Sequence, residues 1–363
     1  MNGHLLVMAG GTGGHIFPGL AVADAMRKRG WRVSWLGTTN GMEQELVPRA
    51  GIPLRSIAFE GVVGRGLWPK VALPLRLFRA FGQARALLAE LRPDVVIGMG
   101  GYPTVPGGLA AAQGGIPLAI HQSDAVAGLA NKMLARFATR VLVGFASVFL
   151  DYERKRVVTG NPIRSEFAEF AEPQARLAGH TGALRLLAMG GSRGAAAINK
   201  LLPEALALLP SESRPAVTHQ AGRDSGASTQ SNYERAGVEA TVVEFIDDSP
   251  SALANCDLFI GRSGASTVSE IAALGVASIL IPYPHHKDQQ QLHNARVLSA
   301  VGATTILEQP GLTREMLAEA IASMSRNKCL DMAIAARTVA KPNATSDICD
   351  VLEMLASKSG MTQ

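Results

Sequence analysis

Leu5-Leu6-Val7-Met8-Ala9-Gly10-Gly11-Thr12-Gly13-Gly14-His15 is a short apolar run that breaks into a glycine-rich turn. An amphipathic run from about Phe17 to Arg29, closed by Gly30, follows it. The same plan returns in the second half of the chain: Leu184 to Met189 is apolar, Gly190-Gly191-Ser192-Arg193-Gly194 is the turn, and Ala195 to Leu209 has helical composition. Glycine accepts positive φ and lets backbone N–H groups close on a ligand, while the helix N-terminus that follows favours negative charge. Two such strand–turn–helix units predict two similar α/β domains, with a diphosphate or the polar edge of a sugar as the expected guest.

Strand and helix patterns alternate along the rest of the chain, as in parallel sheets covered by helices on both faces. The first half offers strands at Leu5 to Ala9, Arg32 to Leu36, Val95 to Gly98, Leu118 to Ile120 and Arg140 to Val143, and a last strand and turn from Val157 to Arg164. The second offers Leu184 to Met189, Ala216 to Gln220, Thr241 to Phe245, Leu258 to Gly261 and Ala277 to Ile281. The expected division is 1–162 and 163–341, with a closing helix in 342–363 (Ile348, Val351, Leu352 and Leu355 at helical spacing) that returns to the first domain. The fold class is therefore two Rossmann-like domains whose parallel sheets face a cleft, and clefts between domains are where such ligands usually bind.

The chain's 363 residues, 47% hydrophobic and 18% charged, suffice for two cores. Three cysteines, Cys256, Cys329 and Cys349, form no CxxC and leave an odd count, which argues against a disulfide framework or a zinc site and for reducing cytoplasm. The N-terminal apolar run is too short for a signal peptide or a span. Net charge is +5, and much of the excess lies between Gly61 and Arg92, where Arg65, Lys70, Arg76, Arg79, Arg85 and Arg92 face one acid, Glu90. Leu67, Trp68, Leu75 and Phe78 are interleaved with them, a composition suited either to an anionic membrane surface or to a solvated basic helix. Nucleic acid is disfavoured as a partner by the 5% aromatic content and the absence of any binding signature.

Neither turn fits the common nucleotide fingerprints. A dehydrogenase needs GxGxxG, but Ile16 holds the last glycine position, and Leu36-Gly37-Thr38-Thr39 replaces the acid expected at the end of the second strand. A phosphate-loop NTPase needs a lysine that both turns lack. More specific is Gly261-Arg262-Ser263-Gly264-Ala265-Ser266-Thr267-Val268-Ser269-Glu270, an open turn and helix start suited to a phosphate. Glu270 there has two readings, a carboxylate for a ribose diol or the distal half of a Thr267–Glu270 capping box. In Pro282-Tyr283-Pro284-His285-His286-Lys287-Asp288-Gln289-Gln290-Gln291, the Asp and Gln side chains offer the mixed donors and acceptors that sugar hydroxyls require. His285, His286 and Asp288 are the rival reading as metal ligands, without a fourth of supportive spacing.

Taken together, Met8 to Ala21, Gly98-Met99-Gly100-Gly101-Tyr102, Gly160-Asn161-Pro162-Ile163-Arg164, Gly190-Gly191-Ser192, Glu244-Phe245-Ile246-Asp247-Asp248, Arg262-Ser263-Gly264-Ala265 and His286-Lys287-Asp288 with Gln290-Gln291 closely resemble the motifs of a known family. It is the two-domain (GT-B fold) inverting glycosyltransferases, in particular those that add N-acetylglucosamine to the undecaprenyl-linked precursor of peptidoglycan. The motifs run in family order over nearly the whole chain. The resemblance implies UDP-GlcNAc as donor, lipid I as acceptor, a β-1,4 linkage to the C4 hydroxyl of MurNAc, and no cofactor or metal. For the donor it implies Thr12, Gly13, Gly14, Asp124, Arg164, Ser192, the backbone of Ile246, the turn Ala265, Ser266, Thr267, Val268 and Ser269, Glu270 on the ribose, and Gln290 and Gln291 on the sugar. For the acceptor it implies Gly100, Gly101, Tyr102 and Asn131. The stretch with Leu67, Trp68, Leu75, Arg76, Phe78 and Arg79 becomes an anchor on the cytoplasmic face of the bacterial inner membrane.

His15 is the first candidate for the base that takes the acceptor proton, because a helix N-terminus disfavours imidazolium; Asp124 is the reserve. Relatives usually carry His-Glu-Gln-Asn where this chain has His121-Gln122-Ser123-Asp124, so a donor-capable amide has become an acceptor-only carboxylate. Arg193 also stands where Gln is common. Two other readings stay open at this stage: a different lipid-directed glycosyltransferase of the same fold, and a non-catalytic nucleotide-sugar-binding protein at the membrane.

Overall fold

The computed structural model describes residues 2–59, 73–191, 195–286 and 288–360. Contacts divide the chain into two compact units, Met1–Ile163 with Asn343–Gln363, and Arg164–Pro342.

The first unit is built on seven strands: β1 (His4–Ala9), β2 (Arg32–Thr38), β3 (Leu54–Ile57), β4 (Val95–Gly100), β5 (Leu118–Gln122), β6 (Arg140–Val143) and β7 (Arg156–Val158). They form one parallel sheet in the order β3-β2-β1-β4-β5-β6-β7. All six residues of β1 and of β4 are buried, which is why both read as unbroken apolar runs. Between Met8 and Ala9 the pairing with β4 slips by one residue, a bulge that re-aims the chain where the glycine turn begins.

The helix Gly13–Lys28 starts inside the glycine turn, earlier than the apolar pattern from Phe17 suggests. It lies close on the sheet over Gly19, where a Cβ would stand 2.6 Å from the buried Trp35 ring, and the Trp35 indole donates to the Ala9 carbonyl at 2.9 Å. Gly30, at φ +82, ends the helix: its N–H bonds Arg27 O and that of Trp31 bonds Met26 O. The C-terminal helix Ala344–Gly360 buries Ile348, Cys349, Leu352 and Leu355 in the core formed by β1, β2 and the helix Gly13–Lys28. Its polar edge is tied by Arg29 to Asp350 at 2.6 Å and by the Trp31 indole to Glu353 at 3.1 Å.

The second unit repeats the plan with six strands, β8 (Arg185–Met189), β9 (Ala216–Gln220), β10 (Thr241–Val243), β11 (Leu258–Gly261), β12 (Ala277–Leu280) and β13 (Thr304–Ile306). Their order is β10-β9-β8-β11-β12-β13, again all parallel. Counted from each unit's own first strand, both sheets therefore begin 3-2-1-4-5-6, the first adding a seventh strand, with the order reversing between the first and fourth strands. Open α/β sheets bind ligands beyond the strand ends at that switch point. The turns after β1 and β4 and those after β8 and β11 all lie there.

No described helix is long and apolar enough to cross a membrane, and the uncharged stretch 98–120 resolves into the end of β4, the helix Thr104–Gln113 and the start of β5. The three cysteines are buried thiols whose pKa burial pushes up, Cys256 to about 12 and Cys329 and Cys349 to about 11.

Leu352→Ala removes a side chain with no exposed surface from the first unit's core, so a loss of about 2–5 kcal/mol is expected. By calorimetry the first unit's transition should fall by roughly 5–15 °C while the second stays in place. A shift confined to the second unit would contradict this packing of the helix.

Candidate functional site

At the first unit's switch point, Thr12 is the extended N-cap of the helix Gly13–Lys28, and its hydroxyl stands 3.5 Å from Nδ1 of His15 rather than capping the helix. The His15 ring is seated by glycine. Gly100, at φ +113, has no room for a Cβ, which would lie 2.5 Å from His15 Cδ2; Gly101, at φ +85, is pressed in the same way against the Gly10 carbonyl. Burial is the leading cause holding the His15 pKa below 6.5, with the Asp124 carboxylate and a hydrogen bond to the Gly10 carbonyl acting against it. Desolvation thus favours a neutral imidazole at neutral pH, in the same direction as the helix N-terminus at which His15 stands.

Asp124, half-buried, follows β5 and belongs to the electrostatic surroundings of His15. The loop that carries it is built around Gln122. Its Nε2 donates to the carbonyls of Asp124 at 3.2 Å and Val126 at 2.9 Å, and its Oε1 accepts from Gly128 N and Asn131 Nδ2. A carboxylate could not make the first two bonds, so glutamine here is matched to this loop. Asn131 is buried and holds the loop from beneath, also donating to His121 O at 2.9 Å; its Oδ1 has no partner among the described residues. Tyr102, by contrast, is exposed.

A buried carboxylate that sequence reasoning missed lies behind this turn. Glu43, with no exposed surface, accepts from Gly11 N at 3.1 Å, Thr38 N at 2.8 Å and Thr38 Oγ1 at 2.7 Å. It fills space left by three glycines: a Cβ on Gly10 or Gly37 would come within 2.6 Å of it, and one on Gly41 closer still. Only Gly37 and Gly41 just ahead of an acidic residue could have signalled it.

In the second unit Gln220 plays the matching part, donating to Gly191 O and accepting from Gly191 N, both at 3.2 Å, while its Nε2 also reaches Glu244 O at 2.8 Å. The helix Ala265–Leu274 opens at Gly264, in extended conformation and without a side-chain cap, and its first intrahelical bond is Val268 N to Gly264 O. The N–H groups of Ala265, Ser266 and Thr267 therefore precede the helix ladder, the arrangement that receives an anion. Ser269 instead bonds back to Ala265 O. Because Gly264 is the N-cap, Thr267 is inside the helix, and the capping-box reading of Thr267 and Glu270 is ruled out.

Glu270 is half-buried and has no hydrogen bond among the described residues. Burial raises its carboxyl to about 7, moderated by the charge of Arg164. Arg164 is exposed, bonds Ser249 Oγ and lies over the Phe167 ring at 5.5 Å. Ile246 is half-buried beside the exposed Phe245. Gln290 and Gln291 are not on a loop, as the sequence suggested, but in the first turn of the helix Gln290–Ser299, preceded by Gln289 at φ +46. Gln290 Oε1 faces His286 Nδ1 at 3.2 Å, and Gln291 Oε1 accepts from Tyr283 N at 2.9 Å. Arg262, also missed as an organiser, ties this segment down through Ile281 O, Pro282 O and Gln309 and stacks on Tyr283. His285 and His286 pack edge-on against Tyr283, and no three potential metal ligands gather among the described residues. Ser192, Arg193, Lys287, Leu67 and Trp68 lie outside the described residues.

On the helix Leu73–Leu91, Ala80, Ala84, Leu88 and Leu91 face the core, whereas Leu75 and Phe78 are 55% and 74% exposed, with Arg76 and Arg79 beside them in sequence. The helix Thr104–Gln113 packs against both this helix and the helix Leu129–Leu134. The latter segment exposes a further apolar set, Leu129, Met133 and Phe137, among Lys132 and Arg136.

Two doubly wound parallel-sheet domains, with glycine turns and an anion-ready helix at their switch points, define the GT-B class of glycosyltransferases. Residues 5–143 match the glycosyltransferase family 28 N-terminal domain and residues 185–348 the glycosyltransferase family 28 C-terminal domain. The chain belongs to glycosyltransferase family 28. It is 49% identical over 352 residues to a protein of Paracidovorax citrulli and 50% identical over 355 to one of Cupriavidus metallidurans, covering 97–98% of this chain and 98–99% of each relative. Both bear the name UDP-N-acetylglucosamine–N-acetylmuramyl-(pentapeptide) pyrophosphoryl-undecaprenol N-acetylglucosamine transferase. The crystal structure of Acinetobacter baumannii MurG superposes with a TM-score of 0.85 at 36% identity, over 97% of this chain and 99% of that one. The calicheamicin glycosyltransferase CalG4, at 17% identity and a TM-score of 0.66, shares the fold.

The Glu270 carboxyl, at about 7 in the folded chain against an ordinary 4.5, prefers to be protonated there. That preference stabilises the fold fully below about pH 4.5 and is lost as pH rises through about 7. Glu270→Gln should therefore melt roughly 2–6 °C above the parent at pH 8, with the gap closing at pH 4.5. Parallel melting curves at every pH would show that Glu270 is not desolvated.

Proposed function

We propose that the chain transfers N-acetylglucosamine from UDP-GlcNAc to the C4 hydroxyl of MurNAc in lipid I, with inversion, giving the β-1,4-linked lipid II of peptidoglycan synthesis. The observation that carries the donor reading is Glu270. A half-buried carboxylate without a hydrogen bond, one turn into a helix whose N-terminal N–H groups await an anion, suits a nucleotide whose ribose diol and diphosphate bind together. Ala265 to Thr267 then hold the diphosphate, Arg164 adds positive charge near it, and Gln290 and Gln291 read the sugar. Charge developing on the leaving diphosphate meets dipoles already oriented toward it.

In the first unit the neutral His15 takes the proton of the attacking hydroxyl, and Asp124 stabilises the imidazolium that results. The Gly100, Gly101 and Tyr102 turn lies at the same switch point and is assigned to the acceptor. The exposed Leu75 and Phe78 with Arg76 and Arg79 rest on the anionic cytoplasmic leaflet, where an undecaprenyl-linked acceptor resides, and Leu129, Met133 and Phe137 extend the apolar contact.

Purified protein given UDP-GlcNAc and a lipid I analogue should release UDP and form the disaccharide; no product would sink this reading. Glu270→Ala should raise the donor KM by about 10–100-fold, the worth of hydrogen bonds to a charged group. His15→Ala should lower kcat by about 10²-fold with donor KM little changed. Should Asp124→Asn prove the more damaging change, Asp124 is the base instead.

Leu75→Ser with Phe78→Ser should weaken binding to vesicles containing anionic lipid and spare turnover of a short-chain acceptor. Equal vesicle binding by mutant and parent would make this an ordinary solvated helix.

A further inference from the structure

The peptide that joins Gly10 to Gly11 is held from both ends. Its N–H donates to Glu43 Oε2 at 3.1 Å, and its carbonyl, on the opposite edge of the same planar unit, is the backbone acceptor that the His15 ring faces. Glu43 itself cannot drift. It is fully buried, its other oxygen is fixed by the Thr38 amide and hydroxyl, and the backbones of Gly10, Gly37 and Gly41 enclose it. On its far side the His15 ring rests on Gly100, and Gly101 closes on the Gly10 carbonyl.

We propose that Glu43 is a positioning residue for transfer, setting the aim and tautomer of His15 through the Gly10–Gly11 peptide. The inference rests on the reading of His15 as the acceptor's base. A ring nitrogen that donates to the Gly10 carbonyl leaves the other nitrogen as the acceptor, the state a base requires, and the carbonyl can hold it only while the peptide keeps its orientation. Rotation of that peptide would present an N–H to the ring and favour the wrong tautomer.

The twin turn sharpens the assignment. Gly191 N is also taken by a buried side chain, but there it is the neutral amide of Gln220, which accepts from the N–H and donates to the carbonyl of the same residue. At the first turn the partner is a carboxylate. It places negative charge behind the N–H where the second turn has a neutral amide, so the first turn disfavours an anion beside Gly11.

Glu43→Gln is nearly isosteric and keeps an oxygen for Thr38, but turns an NH2 toward the Gly11 N–H. The expected result is a kcat lower by about 10–100-fold with donor KM within about twofold of the parent, the signature of a displaced catalytic group. Parental kcat in the folded variant, or a loss confined to thermal stability, overturns the proposal. Glu43→Asp withdraws the carboxylate from Gly11 while keeping it on Thr38; it should show the same kcat loss and serves if the glutamine variant does not fold. Ring 15N shifts of His15, identified by comparison with His15→Gln, are read without substrate. They should show one dominant tautomer in the parent and a mixed or reversed population in the variants, and an unchanged tautomer overturns the proposal. A parent that forms no product would refute the transfer reading, and these shifts would still decide whether Glu43 sets the ring.

Discussion

Where a buried parallel strand breaks into a glycine turn, the backbone leaves the ladder and its N–H and carbonyl groups lose their regular partners while still shielded from water. Each such group costs on the order of 1–3 kcal/mol unless something bonds it. Here the partner comes from the neighbouring strand's end in each unit, from Glu43 just past β2 and from Gln220 at the close of β9. The glycines around Glu43 are a consequence of the same need, because a carboxylate can reach the backbone only where no Cβ stands in the way. The shape of the site thus follows from satisfying the turn that makes it.

The two units solve one problem with opposite electrostatics. In the second, the N–H groups of Ala265 to Thr267 are uncapped, the side chain on the turn is the neutral Gln220 amide, and Glu270, in reach of the Arg164 charge, is a carboxyl nearly balanced between charged and neutral. On the proposed donor reading, ribose hydroxyls would stabilise its ionised form, so that donor affinity and protonation are linked. In the first, charge is retired inward onto Glu43 and the imidazole is kept neutral by burial. On the proposed reading, one half holds a leaving anion and the other accepts a proton.

Much of this was legible in the chain because buried parallel strands are written as continuous apolar runs and their turns as glycine. The strands that escaped are β3 and β13, both at sheet edges. Leu54-Arg55-Ser56-Ile57 is mostly accessible, and Thr304-Thr305-Ile306 is three residues long, so neither carries the apolar run that marks a central strand. The strand expected to reach Phe245 stops at Val243 because the chain turns out to expose Phe245. Glu270 was found through its motif, yet its two readings were separable only once Gly264 was seen as the cap. Glu43 and Gln220 were invisible for a different reason: each acts on a backbone far off in sequence, and a side chain's service to a distant peptide leaves no periodicity.

The helix Ala344–Gly360 gives the molecule a particular order of assembly. Its apolar face completes the core under the helix Gly13–Lys28, but the whole of Arg164–Pro342 is synthesised between the two. At about 5–20 residues per second the ribosome delivers the second unit over roughly 10–40 s, during which the first has its sheet but not its last helix. Val22, Met26 and Trp31 wait meanwhile for Ile348 and Leu352. The second unit is in this sense an insertion in the first, and the nascent chain exposes a sticky seam that only the emergence of this helix can close.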